Sequence, residues 1–129
     1  MSAVATKGYG WAKRSTYIAQ NAGQGRGLAV IQGASGDDYA ANAANANAVC
    51  LGVQEEPSVN AGDPISVIDL GEGPAIAGAA VNAGQFVKCT AAGQFIPITT
   101  AGDNIVGQAK SSAALQGDEF VLMVLPGVN

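Results

Sequence analysis

The feature that most limits what this chain can fold into is a short pattern used more than once. Leu51-Gly52 leads through a loop to Gly62-Asp63 and then to the apolar positions Ile65 and Val67. Fifty-five residues further on, Val106-Gly107 leads to Gly117-Asp118 and then to Phe120 and Leu122. Between the two, Val81-Asn82-Ala83-Gly84 repeats Val59-Asn60-Ala61-Gly62, and Ala92-Gly93-Gln94-Phe95-Ile96 echoes Ala83-Gly84-Gln85-Phe86-Val87. Glycine supplies a positive φ without a Cβ clash, and Asp or Asn beside it tolerates tight turns. Short apolar runs punctuated in this way predict an all-β body, a small β-barrel or a β-sandwich. Across the 17 aligned positions of the two main copies only two glycines and the aspartate are identical. The pattern therefore reads as a reused turn-and-strand device, with no duplicated domain implied.

The strands predicted from this punctuation are Ser15–Gln20, Leu28–Gln32, Val49–Gln54, Ile65–Leu70, Ala75–Val81, Ile105–Ala109 and Glu119–Leu125. Ala34–Ala48, rich in Asn and Ala, reads as a surface loop, and Gly71-Glu72-Gly73-Pro74 as a turn cluster. Glu119–Leu125 is the most hydrophobic run and is expected to lie centrally. Gln85–Cys89 and Gln94–Ile98 form the clearest hairpin. A four-residue loop would pair Cys89 with Gln94 and Val87 with Ile96, leaving Phe86, Lys88, Phe95 and Pro97 on the opposite face. Apolar residues would then occur on both faces, which a half-solvated strand pair does not need. One face can serve the core, and Phe86 and Phe95 become candidates for contact with a partner.

Composition explains why a partner is expected. The chain is 48% hydrophobic over 129 residues, but 25 of those residues are alanine, and 18 more positions are glycine. Burial free energy follows apolar area at roughly 25 cal/mol per Å², and alanine brings little. Charge is also uneven. Residues 1–36 hold Lys7, Lys13, Arg14 and Arg26 and no acid, whereas all ten acids lie beyond. Residues 1–27 accordingly read as a basic, aromatic N-terminal arm attached to a β domain over 28–129. Trp11, flanked by Lys7, Lys13 and Arg14, is either a cover for the core edge or an anchor of the aromatic type that dominates interfaces. The acidic body does not suit nucleic acid, whose binders need basic patches. No segment approaches the ~18 apolar residues of a membrane span, and the N-terminus has no signal-type apolar stretch. A soluble product made in the cytoplasm, with no membrane partner, is expected.

The residues exclude most catalytic chemistry. Without histidine there is no Ser-His-Asp or Cys-His arrangement. Cys50 and Cys89 alone make no zinc signature, and Asp37-Asp38 lacks EF-hand spacing, so no metal and no cofactor are expected. Buried free thiols are the preferred reading of the two cysteines, with a disulfide open until their Cα separation is known. No P-loop occurs. Gly23-Gln24-Gly25-Arg26-Gly27 precedes its apolar run, the reverse of a dinucleotide motif. Asp69 with Glu72, or Asp118 with Glu119, could form an acid–base pair, but turn formation accounts for these glycine-adjacent acids. The expectation is a protein that is not an enzyme.

Asp69-Leu70-Gly71-Glu72-Gly73, Ala77-Gly78-Ala79-Ala80-Val81, Ala83-Gly84-Gln85-Phe86-Val87, Val106-Gly107-Gln108-Ala109 and Gln116-Gly117-Asp118-Glu119 follow one another in order. With Leu51-Gly52-Val53 and Gly62-Asp63-Pro64-Ile65, this succession over roughly residues 28–127 resembles the tailed-phage capsid decoration, or cement, proteins. The resemblance implies a β-rich body on the outer capsid surface of a virion, usually a homotrimer, that binds the major capsid protein and ties its neighbouring copies together. Two other readings stay open: another virion part, such as a head fibre or tail-associated module, and a carbohydrate-binding β module.

Overall fold

The computed structural model describes residues 10–125. Nine strands follow in order: β1 (Ala12–Ala19), β2 (Ala29–Gln32), β3 (Tyr39–Asn42), β4 (Gly52–Gln54), β5 (Pro64–Ile76), β6 (Phe86–Cys89), β7 (Phe95–Pro97), β8 (Gly107–Ala109) and β9 (Glu119–Val124). Every regular element among the described residues is a strand, as the turn punctuation predicts. All nine join one sheet in the order β1-β3-β2-β4-β5-β9-β8-β6-β7, and β1 also pairs with β5. That extra pairing, Ala12 opposite Gly71 through Ile18 opposite Pro64, closes β1-β3-β2-β4-β5 into a ring. The rest of the sheet curls back as well. β5, β9, β8, β6 and β7 are closed by a parallel bridge between Ala77 and Phe95, where the Gly78 N–H donates to the Phe95 carbonyl at 2.7 Å. The body is therefore two five-stranded rings that share the long strand β5.

The rings correspond strand for strand. Gly52–Gln54 and Pro64 of the first ring fall 55 residues before Gly107–Ala109 and Glu119 of the second. Hydrogen bonds follow the same offset. The Glu55 N–H donates to Ser66 O, and the Lys110 N–H to Val121 O. Ala19 exchanges bonds with Gly62 and Asp63, as Ala77 does with Gly117 and Asp118. The parallel pairing of β1 with β3 matches the bridge between Ala77 and Phe95. The second half of β5 thus plays for the second ring the part that β1 plays for the first. This corrects the sequence reading of a reused device: the architecture is duplicated although few side chains are. Backbone pairing needs only a compatible pattern of small and apolar residues, so it survives where identity does not.

Turns carry the device that the sequence displays. In Asn60–Asp63, Asn82–Gln85, Thr100–Asp103 and Leu115–Asp118, the fourth N–H donates to the first carbonyl at 3.1–3.2 Å. The glycine in third position has φ between 90° and 94°. In each, the fourth residue's side-chain oxygen accepts the first residue's N–H at 2.8–3.1 Å. An acid or glutamine after glycine therefore satisfies a donor that the turn would otherwise leave to water.

Three sequence expectations change here. Gly71-Glu72-Gly73-Pro74 is no turn, because β5 runs straight through it. Its glycines serve close approach: a Cβ at Gly71 would overlap the Trp11 carbonyl, and one at Gly73 the Ile68 side chain. The Asn/Ala segment contains β3, too short and too small in side chains to register as a strand. In the hairpin, Cys89 stands opposite Phe95, Lys88 opposite Ile96 and Val87 opposite Pro97. The register is one residue from the predicted one, and such a slip moves a side chain to the other face. Glu119–Leu125 does lie centrally, as β9 between β5 and β8.

The core is divided as the rings are. Ala19, Val30, Ala40, Ile65 and Val67 fill the first ring, with Tyr17 and Leu51 packed against them. A narrow ring leaves little interior volume, which is why alanine suits it. The larger cluster includes Phe95, Phe120, Leu122, Val81, Val87 and Cys89 of the second ring. Ala29, Val53 and Ile68 of β2, β4 and β5 belong to it too. Ala29 and Val30 are adjacent and both fully buried, one facing the seam between rings and one facing the first ring's interior. Apolar residues on both faces of these strands thus have an internal explanation, the neighbouring ring.

Candidate functional site

The candidate residues separate once they are placed. Lys7 lies outside the described residues. Lys13 and Arg14 sit in β1, inside the sheet, so residues 12–19 form part of the body and not of a free arm. Lys13 Nζ reaches Asp69 at 3.0 Å, and Arg14 Nε donates to both Glu55 oxygens at 2.9 Å. Asp69 is the extra residue of a bulge, because Lys13 stands opposite Leu70 and Arg14 opposite Ile68. The bulge aims its carboxylate across at β1, where the Ser15 hydroxyl also donates at 2.7 Å. Phe95 is the clear correction. It is fully buried and meets Phe120 edge-on, with ring centroids 6.4 Å apart and planes at 89°, so it is a core residue and no partner contact.

Trp11 and Phe86 stand at the two ends of one row of outward residues that runs around the second ring. Trp11 is 70% exposed and Phe86 39%. The Glu72 N–H donates to the Trp11 carbonyl at 3.1 Å, and Glu72 stands opposite Met123, Met123 opposite Gln108, and Gln108 opposite Phe86. The Ile98 N–H then donates to the Phe86 carbonyl. Residues directly opposite in an antiparallel pair point to the same side. On β5, β9 and β8 the flanking residues Gly71, Gly73, Leu122, Val124, Gly107 and Ala109 are buried, as is Val87 beside Phe86, so the row itself faces out. At about 4.8 Å per strand it extends for roughly 20 Å. It presents an aromatic at each end with Met123 between, and Glu72 and Gln108 as polar partners. Val49, Val59 and Leu115 are further exposed apolar residues that sequence reasoning missed. Leu115 opens one Gly-Asp turn and Val59 directly precedes another, where no periodicity marks them.

A cleft of about 190 Å³ lies beside the row, lined by Arg14, Arg26, Glu55, Glu56, Glu72 and Pro74 among others. Its charges are largely paired within the protein. Arg14 holds Glu55, Arg26 pairs with Glu119, and Glu72 accepts the Gly10 N–H at 2.9 Å. The carboxylates considered for acid–base work are thus each engaged in structure: Asp69 by Lys13 and Ser15, Asp118 by its turn, Glu119 by Arg26. Among the described residues, no group of three or more His, Cys, Asp or Glu is placed to hold a metal ion. No helix among them is long and apolar enough to cross a membrane.

Three carboxylates are held below their ordinary range. The Arg14 guanidinium, helped by the Ser66 hydroxyl, lowers Glu55. Burial alone would raise Asp69, but bonds from Ser15 and Lys13 outweigh it. The Thr99 N–H, Lys88 and the Thr100 N–H lower Asp103. A group depressed on folding contributes stability above its unfolded pKa, about 4 for a carboxylate, and loses it as pH falls through the folded value. The thermal midpoint should therefore be flat from about pH 7 to 5 and fall steadily below about pH 4. Asp103→Asn should flatten that acid limb, and an unchanged limb in the variant would show that Asp103 does not contribute to it.

No known family profile matches the chain, and no curated protein is similar to it at a significant level. One solved structure decides the fold. The N base of the head fiber gp8.5 of bacteriophage phi29 is similar over 89% of this chain and 95% of its own length, with a TM-score of 0.62 and 23% identity. The two chains share one fold. Because the likeness spans nearly all of both, it includes both rings and the strand they share.

Proposed function

We propose that this chain is a non-enzymatic structural protein of a phage virion that sits on the outer capsid surface, binds the major capsid protein and cements neighbouring copies together. The observation that carries the reading is the fold shared with the base of a phage head fiber. The ordered resemblance of residues 28–127 to capsid decoration proteins supports the same location. So does a body whose acids and bases are spent on turns and internal ion pairs. The Trp11–Phe86 row is the proposed contact, an aromatic and methionine surface of the kind enriched at interfaces. Many modest contacts repeated on a lattice add by multivalency, and binding the shell better than its free subunits stabilises the shell. A homotrimer suits this role. The fold likeness also favours a second reading, the base of a fibre that holds a longer appendage on the head.

Cosedimentation with empty capsids of the cognate phage tests attachment. Trp11→Ala and Phe86→Ala should each weaken binding by about tenfold, some 1.4 kcal/mol, with the fold intact. Wild-type binding by the double variant would remove the row from the interface. Because Ala12–Arg14 pair with Gly71–Ile68, a truncation test of the arm must stop before β1. Deleting residues 1–9 keeps the ring closed, whereas deleting 1–14 cuts into it. Cement and fibre base are separated by electron microscopy of labelled particles, which places a cement across the junctions of capsid subunits and a fibre base beneath a longer appendage.

A further inference from the structure

The two cysteines lie at the seam between the rings. Cys89 is the last residue of β6, fully buried in the second ring's core, and Cys50 is half-buried in the segment that leads into β4 of the first. Both sulfurs converge on one acceptor: Cys50 Sγ is 3.4 Å and Cys89 Sγ 3.9 Å from the Ala48 carbonyl oxygen. The backbone on either side is pinned. The Leu51 N–H donates to Val30 O at 2.8 Å, and the Asn47 N–H to Cys89 O at 3.0 Å. Two thiols are thus held against one carbonyl oxygen, the half-buried one and the fully buried one, each anchored to a different ring.

We propose that Cys50 and Cys89 form an oxidative modification site in which a small-molecule disulfide such as oxidised glutathione converts them to a disulfide that staples the first ring to the second. Cys50 Sγ, as its thiolate, attacks one sulfur of the oxidant and expels a glutathione thiolate, which takes up the Cys50 proton. Cys89 Sγ then attacks the Cys50 sulfur of the mixed disulfide and expels the second glutathione thiolate, which takes up the Cys89 proton. Two protein thiols and one small disulfide become one protein disulfide and two small thiols. Cys89, packed against the same carbonyl as Cys50, is the thiol placed for the second, resolving attack. The bond would close a loop of about 40 residues in the unfolded chain. The inference does not rest on attachment to a capsid, and its test uses the protein alone.

The full chain is incubated with oxidised glutathione or with dithiothreitol, the residual thiols are alkylated, and intact mass and peptide maps are read. Oxidised protein should lose two hydrogens, resist alkylation at both sites and yield a peptide linking Cys50 to Cys89. Its thermal midpoint should rise by roughly 10 °C over the reduced form, and the difference should vanish in Cys50→Ser. Because Cys50 is half-buried, that variant should fold even if Cys89→Ser does not, and it should stop at no cross-link. Two alkylatable thiols after oxidation, stable glutathione on Cys50, or a cross-link only between chains would overturn the proposal. A disulfide that leaves the midpoint unchanged would overturn the staple.

Discussion

Phe120→Ala is expected to cost about 3–5 kcal/mol, enough to leave a domain of this size with a large unfolded fraction in mild denaturant. Phe120 lies on the central strand β9, opposite Ala75, with no solvent exposure. Its ring meets the equally buried Phe95 edge-on, and the two are the largest fully buried side chains among the described residues. Around them stand Val81, Val87, Ala109 and Leu122, side chains too short to collapse into the space a phenyl ring leaves. Truncation therefore loses both the transfer term and the contacts across the cavity. Urea denaturation of Phe120→Ala and Phe95→Ala should show both losses. The double variant should lose less than their sum, because each single change already removes the shared edge-on contact. Phe86→Ala, outside the core, should stay within about 1 kcal/mol of the unaltered protein. A Phe120→Ala midpoint equal to that of Phe86→Ala would refute this view of the second ring.

Gly107→Ala should be nearly as damaging, at about 2–4 kcal/mol, and Gly52→Ala should match it. A Cβ at Gly107 would overlap the carbonyl oxygen of Met123, and one at Gly52 the carbonyl oxygen of Ile68. These are backbone atoms of the neighbouring strand, so no rotamer change relieves the overlap. Relief requires β8 to part from β9, or β4 from β5, at the pairs Gln108–Met123 and Val53–Ile68. The two clashes lie 55 residues apart at both ends, so equal losses would test the duplicated architecture directly. Gly62→Ala is the control. Its φ of 91° strains an alanine, yet nothing lies within 4 Å, so the cost should stay at about 1–2 kcal/mol. A Gly107→Ala cost no greater than that of Gly62→Ala would show that the strands yield more easily than their pairing implies.

Much of the β content was legible because it depends on local chemistry. Gly-Asp and Gly-Gln turns satisfy their own donors, and Gly62-Asp63, Gly84-Gln85 and Gly117-Asp118 each stand directly before a strand. Glycine for close approach looks identical in sequence, and there the reading failed: Gly71 and Gly73 serve strand contact, so one predicted break was the middle of the longest strand. For the candidate surface, Trp11 was legible as an aromatic among basic residues outside a hydrophobic run, and Phe86 as an apolar residue on the second face of a hairpin strand. Phe95 was misplaced because a hairpin's register depends on whether its loop holds four residues or five, and Ala91-Ala92 permits both. The partners of Lys13 and Arg14 were not legible, since Asp69 and Glu55 lie 56 and 41 residues away.

The sequence by itself determined an all-β chain, the tight turns at its Gly-Asp pairs, the exclusion of histidine-dependent chemistry, and the repeat of Gly52 and Gly62-Asp63 at Gly107 and Gly117-Asp118. Only the tertiary structure decided that this repeat is one of whole rings, that the rings share β5, and that Trp11 and Phe86 stand on one outward row. It also decided that Cys50 and Cys89 gather at the Ala48 carbonyl. Turn chemistry acts over four residues and leaves its mark in composition. Ring closure, strand register and the gathering of two thiols join residues tens of positions apart, and are set by which apolar faces can be buried together.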